Sequence, residues 1–311
     1  MKIALCIIAA LMLLFFAVTF VCFRMAFYSK EKNKKKGFSL PPGPTYDPYK
    51  KIMYDWAQEV MAMPYEPVEI LSYDGLTLRG KLYECAEGAD IELMFPGYRG
   101  CAERDLCGGV QRCFALGRSA LVVDQRGGGH SDGHIISFGI NEHRDCLQWA
   151  QYLYERFGKS RRVILTGISM GASTVLNAAS QKLPENVVGV IADCGFTEPK
   201  VIIKKVIGAM GLPAELLYPL VRIAGMLYGG FDIESVTSID SIKKCTLPVF
   251  IAHGEADDYV PCSMSLINFE ACSAPKKLLT VPGAGHGLAY VVDPNGYIAA
   301  LREIEAHYRK M

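Results

Sequence analysis

The sequence predicts an α/β fold, in which a mostly parallel central sheet is covered by helices on both faces and carries a small helical insertion. Two observations support this class. From residue 65 onward, short apolar segments alternate with segments that have a helical pattern. Strands that alternate with helices in this way form parallel sheets covered on both sides. The composition, with 50% hydrophobic and 21% charged residues over 311 positions, is that of a globular protein.

The predicted elements follow one another regularly. A helix at 47–63 precedes a hairpin, whose strands at 68–72 and 76–83 are joined by the Asp74-Gly75 turn. Further strands are predicted at 91–95, 120–123, 162–166, 187–192, 248–252 and 278–281. Helices are predicted at 103–116, 142–157, 170–182, 263–271 and 294–308. Ligands of such sheets bind at the carboxyl ends of the strands, so candidate site residues are sought there.

Residues 3–23 are predicted to span a membrane. They hold no charged residue, and 21 helical residues reach ~31 Å, about the thickness of one bilayer core. A cleaved signal peptide is the alternative, but its apolar region would be ~7–15 residues long, with a small-residue cleavage site after it. The predicted organisation is therefore an anchor at 1–23, a basic and Pro/Gly-rich linker at 24–45 that keeps the body clear of the membrane, and a globular domain at 46–311.

The charges that flank this segment predict its orientation. Lys2 and the α-amino group precede it, whereas Arg24 and a group of lysines follow it: Lys30, Lys32, Lys34, Lys35 and Lys36. The positive-inside tendency then places the globular domain in the cytoplasm, at the cell membrane. Net charge is +1 and no basic stripe carries interleaved aromatic residues, so no nucleic-acid partner is predicted.

The cysteines point neither to a disulfide framework nor to a metal site. Eleven are present, two of them in the apolar segment and nine beyond it. Cys101, Cys107 and Cys113 are spaced six residues apart, but no neighbouring His or Cys completes a ligand pattern. We therefore expect mostly reduced, structural cysteines and no metal.

A candidate nucleophile lies between the strand at 162–166 and the helix that begins at Met170. The segment Gly167-Ile168-Ser169-Met170-Gly171 has the G-x-S-x-G pattern in the strand–turn–helix context that a nucleophile elbow needs. The two glycines remove side chains that would clash in a tight turn. The N-terminus of the following helix favours negative charge at the site. An ordinary strand–loop–helix turn remains the alternative.

A serine nucleophile needs a base and a carboxylate to orient that base. His286 is the candidate base, because it lies in a glycine-rich loop directly after the strand at 278–281. His253 would instead shape the loop that follows it, and His130 is a lesser candidate for the pocket wall. The neighbouring Asp257 and Asp258 are candidate acids, and only one of the two is expected to point inward.

Two further motifs resemble those of a known family. Residues 124–131, DQRGGGHS, resemble the D-x-R-G-x-G-x-S loop of the α/β-hydrolase superfamily, and residues 253–261, HGEADDYVP, resemble its H-G-x-x-D-x-x-V-P loop. Residues ~65–309 thus resemble an α/β-hydrolase of the serine esterase/peptidase type, whose chain order is serine, acid, histidine. The resemblance implies that Asp257, at the fifth position of the second loop, is the acid, with Asp258 as the second choice.

The same resemblance implies an oxyanion hole. One donor would be the backbone N–H of Met170, and the other the N–H of Tyr98 in the loop after the third strand. The family commonly has His-Gly in that loop, whereas this chain has Pro96-Gly97. The Tyr98 ring and Arg99 either border the acyl or leaving-group site, or Arg99 only braces the loop.

An insertion at about 195–245 resembles the helical cap that covers the serine in this superfamily. Its apolar stretches at 201–207 and 212–228 predict two helices separated by Gly211-Leu212-Pro213. Lined with Ile, Leu, Met and Tyr, such a cap would favour an apolar acyl or leaving group.

We therefore expect a membrane-anchored serine hydrolase that cleaves an ester or related acyl bond of an apolar, small-molecule or lipid-like substrate through an acyl-enzyme on Ser169, with no cofactor. A serine peptidase or thioesterase would use the same triad. A catalytically idle interaction module tethered to the membrane is the alternative from another class. Epoxide and haloalkane hydrolases are disfavoured, because those relatives carry an aspartate at the elbow.

Overall fold

The computed structural model describes residues 1–29 and 43–308, and within them eight strands form one sheet in the order β1-β2-β4-β3-β5-β6-β7-β8. The strands are β1 Glu66–Leu71, β2 Thr77–Tyr83, β3 Ile91–Phe95, β4 Ser119–Val123, β5 Val163–Ile168, β6 Val187–Asp193, β7 Val249–Gly254 and β8 Lys276–Val281. The hairpin strands β1 and β2 are antiparallel, and β2 also pairs antiparallel with β4. All other neighbours are parallel, so the predicted mostly parallel sheet is confirmed.

Helices cover both faces of this sheet, as predicted. Their bounds are α1 Lys2–Ala26, α2 Lys50–Ala62, α3 Ala102–Asp105, α4 Cys107–Ala115, α5 Glu142–Phe157, α6 Met170–Ala178, α7 Pro199–Ala209, α8 Ala214–Ala224, α9 Ser238–Ile242, α10 Cys262–Ala271, α11 Ala289–Val292 and α12 Pro294–Tyr308. The helix predicted at 103–116 is interrupted at Leu106, and α6 ends four residues before the predicted end at 182.

Alternate side chains of the central strands enter different cores. Val163 and Leu165 of β5 pack with α5 and α6 on one face, and Ile164 packs with α12 on the other. Every residue of β3, β4 and β6 is buried, because helices lie on both sides of these strands. This burial fixes the sheet rigidly, so the loops at the carboxyl ends of β5, β7 and β8 keep a constant relation to one another.

The structure differs from the predicted linker at both of its described ends. Helix α1 continues three residues past the predicted anchor, and Phe27 is fully buried against the body. The Ser29 N–H donates to the carbonyl of His134, so the chain is held there by backbone pairing as well. Apolar burial of an aromatic side chain outweighs the flexibility of a linker composition. Residues 30–42 of the predicted linker lie outside the described residues.

Helix α1 has the length and apolar composition of a membrane-spanning helix, criteria that a signal sequence near the N-terminus also meets. Most of its first half is exposed. Its second half packs on α8 and on the π-helical turn Gly225–Gly229, where Phe23 is buried and the Thr19 hydroxyl hydrogen-bonds that of Tyr228 over 3.2 Å. The helix is thus attached to the cap insertion along its last two to three turns.

A buried ion cluster lies inside the sheet. The Glu92 carboxylate on β3 is fully buried and accepts hydrogen bonds from Arg112, Arg118 and the Thr166 hydroxyl. Burial alone would raise the pKa of Glu92, but the two guanidinium groups lower it to about 2, so the carboxylate is ionised at neutral pH. Both arginines are themselves almost completely buried.

Replacing Glu92 with glutamine is expected to lower the free energy of unfolding by about 3–5 kcal/mol, because buried Arg112 loses its counter-charge and buried Arg118 keeps only Glu305 as a charged partner among the described residues. Chemical denaturation of the purified protein measures this change. Glu69→Gln is the matched control, because Glu69 pairs with Arg79 at an exposed position, where loss of the pair costs less than about 1 kcal/mol. An equal loss of unfolding free energy in the two variants would contradict the larger stabilisation expected from the buried cluster.

Candidate active site

Ser169 lies on a strained turn between the end of β5 and the start of α6. Its backbone angles are φ 57° and ψ −119°, a conformation that non-glycine residues rarely adopt. A Cβ on Gly167 would come within 2.1 Å of the Gly171 carbonyl, and one on Gly171 within 2.1 Å of the Phe95 carbonyl. Glycine is therefore required at both positions of the G-x-S-x-G pattern, which is the reason that the sequence suggested.

The structure brings Ser169, His286 and Asp257 into one hydrogen-bonded relay. The Ser169 Oγ lies 2.9 Å from His286 Nε2, and His286 Nδ1 lies 2.7 Å from Asp257 Oδ2. Each of the three residues follows the carboxyl end of a different parallel strand: β5, β7 and β8. With Nδ1–H donating to the carboxylate, Nε2 is free to accept the serine proton.

Asp257 is the acid that faces His286. Its second oxygen accepts the backbone N–H groups of Tyr259 and Val260 at 2.9 and 2.8 Å, and the residue is buried. Burial alone would raise the pKa of the Asp257 carboxyl, but hydrogen bonds from His253 and His286 hold it well below its usual range. Asp258, the second choice, is exposed at the rim of the pocket.

His253 has a place in this site that sequence reasoning did not assign. It is fully buried, and its Nε2 lies 3.1 Å from Asp257 Oδ2 and 2.8 Å from the Val260 carbonyl. Both partners accept, so Nε2 carries the hydrogen, and the Ser265 hydroxyl at 2.6 Å donates to Nδ1. His253 therefore donates to the same Asp257 oxygen as His286 does. In the sequence, the available signal was its place as the first residue of the H-G-x-x-D-x-x-V-P loop, four residues before Asp257.

The two predicted oxyanion donors belong to chain segments that adjoin the serine. Met170 is the first residue of α6, where a backbone N–H has no partner within the helix. The loop that carries Tyr98 passes the serine closely, since a Cβ on Gly97 would lie 3.5 Å from Ser169 Cβ. This loop is fixed by two bonds: Gly97 N–H to Asp105 and the Gln125 side-chain amide to the Pro96 carbonyl.

The pocket at Ser169 has a volume of about 500 Å³, within the usual range for small-molecule sites. Residues 43–46, of which the first three were predicted to be linker, form part of its wall together with Tyr98 and Tyr259. The Tyr46 hydroxyl donates to the His286 carbonyl at 3.1 Å, which ties this segment to the histidine loop. No local pattern in the sequence indicates this contact, because it joins residues 240 positions apart.

Arg99 braces the chain and does not line the pocket. Its guanidinium group donates to the carbonyls of Met25 and Tyr28 at 2.9 Å, so it holds the end of α1. Helices α7 and α8 lie in the predicted cap region, separated at 211–213 as expected. Among the described residues they contribute nothing to the wall of the Ser169 pocket and instead line an apolar cavity beside it.

The D-x-R-G-x-G-x-S loop is structural in this protein. The Asp124 carboxylate accepts the N–H groups of Ala102 and His130, and Arg126 forms a buried ion pair with Asp145. A Cβ on Gly129 would come within 2.1 Å of the Asp124 carboxylate, so glycine is needed there. His130 is exposed and lines a separate surface cleft, not the pocket at Ser169.

One group of described side chains has donor atoms close enough to hold a metal ion: Cys194, Asp257 and His286, within 4.8 Å of one another. In this arrangement the aspartate and histidine atoms already hydrogen-bond each other. Burial raises the pKa of the Cys194 thiol well above its ordinary value, which favours the neutral thiol over the thiolate that metals bind. The donor set therefore fits a proton relay better than a metal site.

Comparison with known proteins agrees with this fold. A family model described as the alpha/beta hydrolase fold matches residues 93–218. The structure of the esterase Pf2001 from Pyrococcus furiosus superimposes with a TM-score of 0.63 at 20% sequence identity, over 86% of this chain and 98% of that protein. At this level of identity, the similarity shows a common fold.

Two relatives are similar in sequence. The uncharacterised protein YqkD of Bacillus subtilis is 28% identical over 189 residues, which cover 60% of this chain and 62% of that protein. The protein bem46 of Schizosaccharomyces pombe is 27% identical over 252 residues, or 78% of this chain and 77% of its own length. The chain thus spans somewhat less than two thirds of the Bacillus relative.

Proposed function

Since the chain has the α/β-hydrolase fold, we propose that it is a serine hydrolase that cleaves an ester or related acyl bond through an acyl-enzyme on Ser169. The single observation that carries this proposal is the relay in which Ser169 Oγ lies 2.9 Å from His286 Nε2 and His286 Nδ1 lies 2.7 Å from Asp257. These distances are those of a nucleophile with its base and of a base with its orienting group.

The reaction follows from the positions of these atoms. Ser169 Oγ attacks the acyl carbon while His286 Nε2 takes the hydroxyl proton, and Asp257 stabilises the imidazolium that forms. The N–H groups of Met170 and Tyr98 stabilise the tetrahedral oxyanion. His286 returns the proton to the leaving group, which departs as an alcohol, thiol or amine. Water, deprotonated by the same histidine, then releases the acid and restores the serine.

A fluorophosphonate probe tests the proposal, because it reacts covalently with an activated serine. We expect the full-length protein to be labelled and the Ser169→Ala variant to remain unlabelled at equal protein concentration. Ser180→Ala is the matched control, since Ser180 lies beyond the end of the helix that follows the nucleophile and bonds to the Asn177 carbonyl. Absence of labelling on the folded protein, or equal labelling of Ser169→Ala, would instead favour an idle interaction module.

We further propose that α1 stays attached as a membrane anchor, with the globular domain in the cytoplasm. Phe23 of α1 is buried in a core cluster that includes side chains of the cap, so cleavage after α1 would expose an apolar surface of the body. Recovery of the full-length protein in the soluble fraction would contradict the anchor. Protection of the globular domain from protease in intact cells, and its digestion after lysis, are expected for the cytoplasmic orientation.

A further inference from the structure

An apolar cavity of about 440 Å³ lies beside the pocket at Ser169. Helix α1 forms one wall, and α7 and α8 form another. The side chains that face it are almost all aliphatic or aromatic, among them Val18 and Val21 of α1, Ile203 and Val206 of α7, and Val221 of α8. A cavity with such walls binds hydrocarbon and excludes polar groups, because an apolar wall offers a polar group no hydrogen-bond partner.

The cavity and the pocket at Ser169 share two residues of their walls, Tyr98 and Tyr259. The Tyr259 ring stands edge-on to the His286 ring with centroids 5.2 Å apart. The Tyr98 ring stacks on Phe138, and its hydroxyl donates to the Ala26 carbonyl at the end of α1 at 2.7 Å. The cavity and the pocket therefore meet at these two rings, and a hydrocarbon chain that passed between the rings would join both spaces.

The outer rim of the cavity carries exposed apolar side chains. Val21 and Met25 on α1 are 54% and 53% exposed, and Met210 at the end of α7 is 51% exposed. Nearby, Leu216 and Leu227 add further exposed apolar surface to the cap. Exposed apolar patches of this kind mark contact with a membrane or a partner. Because one side of the rim is the proposed membrane helix, the opening lies beside lipid.

We propose that this cavity holds the long acyl chain of a membrane-lipid ester, which enters sideways from the bilayer between α1 and the cap. The inference rests on the proposed function, since the acyl carbonyl must reach Ser169. The chain would lie against α1, α7 and α8, and the leaving alcohol would lie in the Ser169 pocket, whose wall includes Arg104 and Asp105. Helix α1 is then a wall of the substrate site as well as an anchor.

The size of the cavity suits such a chain. An apolar cavity of roughly 150 Å³ holds benzene, and the cavity beside Ser169 is about three times larger. On that scale it accommodates a hydrocarbon of more than roughly a dozen carbon atoms. A chain of four carbons would leave most of the cavity unfilled, so long esters are expected to bind more tightly than short ones.

Filling the cavity tests the inference. Full-length protein in phosphatidylcholine vesicles is assayed with p-nitrophenyl palmitate and p-nitrophenyl butyrate. Val206→Trp is expected to lower the ratio of kcat/KM for palmitate over butyrate at least tenfold relative to the parent, because the indole occupies the space of the chain. Val21→Trp, on the opposite wall, is expected to act in the same direction. Leu13→Trp is the matched control on α1, exposed and outside the cavity lining, and should leave the ratio unchanged.

A covalent probe gives a second readout that does not depend on rates. A hexadecyl fluorophosphonate with a diazirine at the chain end is reacted with the serine and then irradiated. Crosslinks within residues 17–26 or 202–221 are expected. An unchanged ratio in both cavity variants, or crosslinks confined to other segments, would overturn the inference while serine labelling and butyrate hydrolysis persist. Loss of labelling and of all ester hydrolysis in the parent would instead overturn the proposed function itself.

Discussion

Replacing Ser169 with alanine is expected to lower kcat for ester hydrolysis by about 10⁴- to 10⁶-fold, with little change in KM. The hydroxyl is the group that forms the bond to the acyl carbon, and no other hydroxyl among the described residues hydrogen-bonds to His286 Nε2. Alanine keeps the backbone conformation as well as serine does, since neither residue favours a φ of 57°. Steady-state hydrolysis of p-nitrophenyl butyrate measures the loss.

A double substitution tests whether Ser169 and His286 act as one catalytic unit or contribute to kcat independently. Groups that act in one relay lose their effect together, so adding His286→Ala to Ser169→Ala should cause little further loss. Ser180→Ala should retain parental activity, which controls for loss of a serine near the same helix. A Ser169→Ala enzyme within tenfold of the parent, with matched unfolding behaviour, would remove Ser169 from the mechanism.

The elements that the sequence predicted best depend on local patterns. Strand β3 and helix α5 have the predicted bounds. The short apolar segment of β3 and the amphipathic segment of α5 differ in the spacing of their hydrophobic residues, which distinguishes a strand from a helix. The elbow is equally local: Gly167 and Gly171 are needed by contacts within the same turn and the neighbouring strand. The site candidates could be chosen because parallel strands bring the loops at their carboxyl ends together.

The features that the sequence did not reveal depend on distant contacts. Residues 43–45 looked like linker because of their Pro and Gly content, yet they line the pocket at Ser169 beside Tyr46, which bonds to the His286 loop. His253 looked like a loop-shaping residue, and only its burial against Asp257 shows what it contacts. The end of α1 looked free of the body, although Phe27 enters the core beside Phe138 and Phe231. None of these pairings leaves a periodic signal along the chain.

These distant contacts also change how the cap is understood. A cap over the serine would select substrates by covering the nucleophile from above. In this protein the cap faces α1, and the space between them is the cavity next to the serine. Selection would therefore depend on the membrane helix as much as on the globular domain, and a preparation that lacks α1 would have lost one wall of that cavity.

Replacing Asp257 with asparagine is expected to lower kcat by about 10⁴-fold through a change of tautomer at His286. The Tyr259 and Val260 amides hold one side-chain oxygen, so the asparagine carbonyl should keep that place and its NH₂ group should face His286. An NH₂ donor opposite Nδ1 favours the tautomer with hydrogen on Nε2. That tautomer points a hydrogen at Ser169 and cannot accept the serine proton.

Asp258→Asn is the matched control, because it removes an exposed carboxylate one residue away, and its kcat should stay within about twofold of the parent, since exposed charges contribute little. Thermal unfolding is measured on both variants, and kcat is compared at a temperature at which both are fully folded, so that loss of structure is not mistaken for loss of chemistry. Since Asp257 also receives the hydrogen bond from His253, its variant should unfold at a lower temperature than Asp258→Asn. A greater loss of kcat in Asp258→Asn would exchange the roles of the two carboxylates.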